Sequence, residues 1–451
     1  MTTKSPSVAI AILLFVLVIV MLGFGIVMPL MPSFITHFGA SGSQLGLMMA
    51  VYSLMQFLFA PFWGRLSDRI GRKPVLLIGI AGYVIAFVMQ AISPNLWVFI
   101  VARTIAGILS SATLPTATAY VADTTSLEKR SGGMGLMGAA MGVGMIFGPF
   151  LGGVLTRWNP TLPAWLAGLM QVTTDVSSGA AINLSIPFFF SAFLALLLIP
   201  FIIFVLPESL ATSAREKVGG RQANQLRQLW QAVRTGPTAF LFVMAFLVAF
   251  ALSNMESVLG LYAQDRFAIG PSQLGIWMGV IGILSVIQQG ILFAPLVRRF
   301  GEERLMQAGL AISVVGFIGM AVMPSLWGLF ATTVVYIIGS TLLGPTVNTL
   351  ISKRATTGQG TALGLGNSFQ SLGRTVGPLW AGSAYDIYPT LSFWTGAAIQ
   401  AIALAVSLRT LRPTTLTTPP PTSRQAHRLR PLAASAIALA PPATERSPEQ
   451  H

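Results

Sequence analysis

Along this chain, apolar residues run in long blocks separated by short polar turns, with no sustained polar–apolar alternation. A helix needs about 20 mostly apolar residues to cross the hydrocarbon core of a bilayer. On that measure the sequence predicts twelve spans, at residues 8–30, 43–63, 74–92, 97–122, 132–155, 186–206, 237–262, 272–296, 305–322, 327–350, 360–382 and 389–411. Gly and Pro interrupt several of them, which bilayer helices tolerate when neighbours satisfy the freed backbone groups. The first block continues without a small-residue cleavage site into Met28-Pro29-Leu30-Met31-Pro32, and reads as a retained helix. The expected fold class is an all-α integral membrane protein.

Two longer polar segments divide the chain. Residues 207–236, with Glu208, Arg215, Glu216, Lys217, Arg221, Arg227 and Arg234, form a linker between a bundle at 1–206 and a second at 237–411. Residues 412–451, rich in Pro, Thr, Ala and Arg, read as a disordered tail. The connection 156–185 carries Trp158, Trp165 and Asp175; its tryptophans suit a membrane–water interface.

Composition and charge sharpen this picture. Of 451 residues, 54% are hydrophobic and 9% charged, where soluble domains carry about 25% charged residues. Too few charges remain to coat a water-soluble enzyme or a nucleic-acid module. The absence of cysteine removes disulfides, thiolate metal sites and cysteine nucleophiles. The net charge of +14 is distributed by topology: if both termini are cytoplasmic, inner segments hold 23 of the 27 Lys and Arg, and the outer connections only Arg157 and Arg266. A multi-pass cell-membrane protein with both termini inside is expected, with the lipid bilayer and no nucleic acid as partner.

The halves also resemble each other. Ser43-Gln44-Leu45-Gly46 recurs as Ser272-Gln273-Leu274-Gly275, Phe59-Ala60-Pro61 as Phe293-Ala294-Pro295, Pro115-Thr116 as Pro345-Thr346, and Gly148-Pro149 as Gly377-Pro378. The offsets are 229, 234, 230 and 229 residues, in the same order and in matching spans. Duplicated six-helix halves place a substrate site between them near the bilayer midplane, exposed alternately to each side. A transporter is therefore favoured over a membrane-bound enzyme.

Between spans two and three lies Gly64-Arg65-Leu66-Ser67-Asp68-Arg69-Ile70-Gly71-Arg72-Lys73-Pro74, an aspartate among cations with glycines at both ends. This resembles the loop signature of the major facilitator superfamily, with a decayed copy at Arg298-Arg299-Phe300-Gly301-Glu302-Glu303-Arg304. Span five holds Gly142-Val143-Gly144-Met145-Ile146-Phe147-Gly148-Pro149-Phe150-Leu151-Gly152-Gly153. Its Gly144, Gly148 and Gly152 form a stripe for close helix contact, and the Gly-Pro-x-x-Gly-Gly form, with Gly148, Pro149, Gly152 and Gly153, resembles the antiporter motif of that superfamily. Over about residues 20–410, apart from 156–185, the chain is similar to its twelve-helix drug:proton antiporter branch. Ala251-Leu252-Ser253-Asn254-Met255-Glu256 and Leu261-Tyr262 look like the Gram-positive multidrug and quinolone exporters. Tyr52-Ser53-Leu54-Met55-Gln56-Phe57 through Pro74-Val75-Leu76-Leu77 looks like the tetracycline exporters.

That resemblance implies two pseudo-symmetric six-helix bundles in the major facilitator fold, a monomeric protein, and a conformational latch. In the latch, Asp68 faces the start of span eleven, where the helix dipole favours an anion, and Arg72 pairs with Asp123, with Gly64 and Gly71 permitting close approach. It also implies proton coupling through Arg103 of Arg103-Thr104-Ile105-Ala106-Gly107.

Of the 40 charged residues, only Arg103, Glu256 and Arg374 lie within the interior of spans. Placing Arg, Lys or Asp at a helix centre costs about 2.5–3.5 kcal/mol on insertion scales, and such residues usually serve function. Glu256 is the sole acid there, and His37, His427 and His451 all fall outside. A carboxyl that moves between apolar surroundings and a cation changes its proton affinity. Glu256 is thus the expected proton carrier, Arg374 is expected to approach it and compete with a cationic substrate for it, and the resemblance gives Arg103 a part in the coupling. The stretches where relatives carry a second acid hold none here; span ten has Thr341 instead. Candidate cavity residues are Gln56, Phe147, Asn254 and Asn348. No cofactor or metal is expected, and no G-x-x-x-x-G-K-[ST] stretch occurs, so an ATP-driven pump would need a separate ATPase; the expected energy source is the proton gradient. The leading reading is proton-coupled export of small amphipathic drug-like compounds by alternating access. The alternatives are export of a sugar or other metabolite on the same scaffold, and a transport-incompetent membrane sensor.

Overall fold

The computed structural model describes residues 6–161, 163–210, 239–355 and 359–411. The predicted linker from residue 211 onward and the predicted tail lie outside the described residues.

Among the described residues, twelve helical rods follow one another along the chain. In chain order they are α1 (Pro6–Val27), which passes through a 3-10 turn into α2 (Met31–Phe38); α3 (Gly42–Ile70); α4 (Arg72–Ala91); α5 (Leu96–Ser110) with α6 (Thr113–Thr124); α7 (Leu127–Leu155); and α9 (Ile186–Phe204) after a short α8 (Ala164–Ala167). The second half has α10 (Ala239–Phe267); α11 (Pro271–Ile287), joined through a π turn at Gln288–Leu292 to α12 (Phe293–Phe300); α13 (Glu302–Val322); α14 (Leu326–Arg354); α15 (Gln359–Ile387); and α16 (Leu391–Thr410). Eleven rods are long and apolar enough to cross a membrane. The twelfth, α15, corresponds to expected span 360–382 but falls short in apolarity among the described residues. It carries Asn367, Ser368, Gln370, Ser371 and Arg374 on one stretch.

Local chemistry sets the turns. Ser41 and Gln44 form a reciprocal capping box at the start of α3, the Ser41 hydroxyl accepting from Gln44 N and the Gln44 amide oxygen from Ser41 N. Asn95 caps α5 and Ser325 caps α14 through their side-chain oxygens. The turns into α4 and α13 need a positive φ, supplied by Gly71 (110°) and Gly301 (78°), which favours glycine for want of a Cβ.

The rods form two six-helix halves. In the first, α1 packs on α7 and α9, and α4 on α5 and α9; in the second, α10 packs on α15, and α13 on α14 and α16. Across the halves the main seams are α3 with α15 and α7 with α11. One end of the molecule carries Arg65, Arg69, Arg72, Lys73, Arg298, Arg299, Arg304, Lys353 and Arg354, and is called the basic end below. At the opposite end, residues 156–185 form a small hairpin, Val172–Thr174 antiparallel to Ala181–Asn183, with Thr173 opposite Ile182. It is held by the contact between His37 Nε2 and Gln171 Oε1 at 3.0 Å and by a buried Asp175 that accepts from Ser177 and Ser178.

Candidate functional site

A cavity of about 1080 Å³ lies between the halves. Its walls come from α1, α3, α5–α7, α10 and α15, and it extends to the basic end at Gly64, Arg65, Asp68 and Gly364. The helices explain its shape. At the end opposite the basic face, α3 and α15 touch so closely that a Cβ on Gly42, Gly46 or Gly382 would overlap the facing backbone. There too, a Cβ on Gly153 would lie 2.7 Å from Pro271 O, and one on Gly275 2.5 Å from Pro149 O. Toward the basic end the same seams part: a Cβ on Gly64, Gly135, Gly138 or Gly364 would meet nothing within 4 Å.

All three intramembrane charges line this cavity. Arg103, on α5, is buried; its guanidinium sits over the Tyr52 ring at 4.7 Å, and Nε donates to Met48 O at 3.4 Å. Tyr52 in turn hydrogen-bonds Ser110 and accepts from Gln56, each at 3.1 Å. A π face supplies part of the compensation a buried guanidinium needs, and no carboxylate pairs with it among the described residues. Glu256 on α10 is half-buried and Arg374 on α15 exposed to the cavity. Among the described residues neither has an ion-pair partner, nor does an ion pair join the two.

The repeat places these charges asymmetrically. Gly144 and Gly148 bring α7 against the carbonyls of Val18 and Leu22 in α1, and Gly373 and Gly377 bring α15 against those of Phe246 and Phe250 in α10. Gly152 continues the first stripe against Ile26, and Pro149 packs on Gly25. These are one helix contact used twice. In its register Glu256 corresponds to Met28 and Arg374 to Met145, and both methionines also line the cavity.

At the basic end Gly71 turns the chain so that Arg72, mostly buried, donates to Asp123 Oδ2 at 3.0 Å, to Ser67 Oγ at 2.7 Å and to Asp68. Glu208 accepts from the backbone N–H groups of Arg72 and Lys73, capping α4. Asp68 therefore engages Arg72 of its own half, while its backbone neighbourhood at Gly64 stays clear of α15. The second half has the same arrangement with the signs exchanged: Glu302 pairs with Lys353 at 2.6 Å, and Glu303 with Arg354 at 3.2 Å.

Of the four expected polar or aromatic cavity residues, Gln56 lines the wall and three lie elsewhere. Phe147 is exposed outside the wall. Asn254 is fully buried and donates to Ser392 O at 2.8 Å, and Asn348 accepts from Gln370 at 3.0 Å. Both amides are engaged in helix packing rather than turned to the cavity. The wall instead carries hydroxyls that the sequence reading passed over, including Tyr52, Ser110, Ser253, Ser257 and Ser371. Apart from Tyr52 on α3, each shares a helix with one of the three charges: Ser110 with Arg103, Ser253 and Ser257 with Glu256, and Ser371 with Arg374.

Known proteins share this architecture. The chain is 28% identical over 400 residues to Multidrug resistance protein 2 of Bacillus subtilis, covering 88% of this chain and 94% of that one. It is 26% identical over 377 residues to Quinolone resistance protein NorA of Staphylococcus aureus, covering 84% and 90%. Among solved structures, a bacterial homologue of the human lysosomal transporter Spinster, inward-facing and occupied, superposes with a TM-score of 0.74 at 14% identity, over 91% of this chain and 98% of that one. The family model described as Major Facilitator Superfamily matches residues 13–378 and 290–443. Taken with the duplicated six-helix halves around one central cavity, this match places the chain in the major facilitator superfamily, among membrane transporters of small molecules.

Proposed function

We propose that this protein is a proton-driven exporter of small, amphipathic, drug-like compounds, working by alternating access with its basic end in the cytoplasm. The observation that carries the reading is Glu256: a carboxyl without an ion-pair partner among the described residues, on the wall of a cavity that extends to the basic end and is closed by helix contacts at the other. Such a group can exchange a proton for a substrate only if it faces the same space as the substrate, and Glu256 lines the cavity between the halves. The names of the relatives, multidrug and quinolone resistance proteins, support the substrate class. The mixed wall suits compounds with an apolar body and a few polar groups.

The proposed cycle runs between two open states. With the basic ends apart, a compound enters from the cytoplasm and displaces the Glu256 proton. Closure there and opening at the far end release it, and a proton from outside restores Glu256. For a neutral compound, one proton per cycle moves one charge inward, worth about 2.3 kcal/mol per 100 mV; for a monovalent cation the exchange is electroneutral and the pH gradient drives accumulation. Arg374 stabilises the ionised carboxyl from across the cavity, and Arg103 contributes to coupling from the wall of the first half. The Arg72–Asp123 and Asp68 cluster latches the halves when the basic ends meet, and the chain acts as a monomer. Everted membrane vesicles with an imposed pH gradient test this. Drug-dependent proton movement is expected from the wild type and not from Glu256→Gln. No such movement across a broad drug panel would overturn the reading.

A further inference from the structure

At the closed end, the carboxylate of Asp386, one residue before the end of α15, reaches across the seam to the first turn of α3. Its two oxygens accept from the backbone N–H groups of Gly42 and Ser43, at 2.6 and 2.8 Å. Those amides belong to the first turn of a helix, where no intrahelical acceptor exists, and where the helix dipole favours an anion. Ser41 already satisfies Gln44 N, so Asp386 completes the cap from the other half of the molecule. Gly42, Gly46 and Gly382 are what allow the approach; a Cβ on Gly42 would lie 2.7 Å from Asp386 Oδ1.

The arrangement mirrors one at the basic end. Asp68 lies two residues before the end of α3, as Asp386 lies near the end of α15, and these two helices form one seam between the halves. In the present conformation the Asp386 contact is made while Asp68 is turned to Arg72. The second seam has its own carboxylate at the same end: buried Asp175 of the hairpin packs against Gly270, the residue that precedes α11. Neighbouring Tyr385 donates to Asp265 at 2.6 Å, which leaves Asp386 to the α3 amides.

We infer that Asp386 is a positioning residue for transport: its carboxylate, bound across the seam to the α3 amides, holds the extracellular end shut while the cytoplasmic end is open. It touches no substrate. Its effect is on the balance between the two open states, and it rests on the alternating-access reading above.

The chain has no cysteine, so a label pair can be introduced cleanly. Trp97 and Trp327 are exposed at equivalent places on α5 and α14, near the closed end. Spin labels at Trp97→Cys and Trp327→Cys report the separation there. In Asp386→Asn, the ratio of long to short separations is expected to rise about tenfold over the labelled parent, the scale set by a carboxylate at a helix N-terminus. Asp386→Glu is expected to restore part of the short population. Monodisperse Asp386→Asn with an unchanged distance distribution would overturn the inference. The distances need no substrate, so a labelled protein that shifts as expected but moves no drug would refute the proposed export and leave this contact standing.

Discussion

The two halves use one helix contact and place different chemistry on it. Where the first half puts Met28 and Met145 on the cavity wall, the second puts Glu256 and Arg374. The first half's own charge, Arg103, is buried against Tyr52 and a backbone carbonyl. The first wall's charge is therefore held by a ring and a carbonyl, while the second wall's charges face the cavity with no ion-pair partner among the described residues. The lesson is a division of labour. The glycine contacts between helices are needed twice, because each half must hold its own shape, whereas the charge proposed to carry the proton is placed once, and charge is costly in a bilayer.

The largest effect should come from breaking the contact that both halves share. A Cβ on Gly148 would overlap Leu22 O, which is backbone and cannot swing aside. Gly148→Val should destabilise the first half by about 3 kcal/mol or more, the upper range for overpacking, read as a lower melting temperature in detergent. The equivalent Gly377→Val should do the same to the second half. If both melt like the parent, the two contacts are not what holds each half.

Next comes the difference itself. Arg374→Met gives the second half the residue type of the first. Loss of one charge interaction across a partly wet cavity corresponds to about tenfold in proton-coupled transport, measured as drug-driven proton flux in vesicles. Met145→Leu, a volume-conserving change in the first half, should change it by less than about twofold, because such swaps are tolerated best. Equal effects of the two would erase the asymmetry.

The smallest effect concerns the exchanged ion pairs. Glu302→Lys should cost about 0.2–1 kcal/mol of stability, as exposed pairs do, since Lys353 is largely exposed. Adding Lys353→Glu, which gives the second half the sign order of Arg72 and Asp123, should restore it. A double variant no better than the single one would mean that sign order, not pairing, is fixed at that turn.

Much of this was legible in the sequence. Long apolar blocks located the rods, and the repeated Ser-Gln-Leu-Gly and Gly-Pro pairs fall on matching helices. The scarcity of charge within the spans picked out Glu256, Arg103 and Arg374, all of which line one cavity. The facing of uncharged side chains was not legible. In a bilayer, lipid and core are both apolar, so no polar periodicity says which side of a helix turns inward. Phe147 thus lies outside the wall, and Asn254 is spent on Ser392. Hydroxyls such as Ser257 and Ser371 bond their own helix backbone, and so read as neutral until the wall is seen. Span α15 illustrates the converse: its polar residues lower its apolarity because it lines the cavity.

The central claim, that substrate and proton compete for Glu256, can be measured on purified protein in weakly buffered detergent with a pH-sensitive dye. Adding a transported compound to the wild type should release protons, and its affinity should rise as pH rises, because ionised Glu256 is the form that binds. Glu256→Gln should bind without releasing protons and without that pH dependence. Proton release from Glu256→Gln equal to that of the wild type would contradict the account.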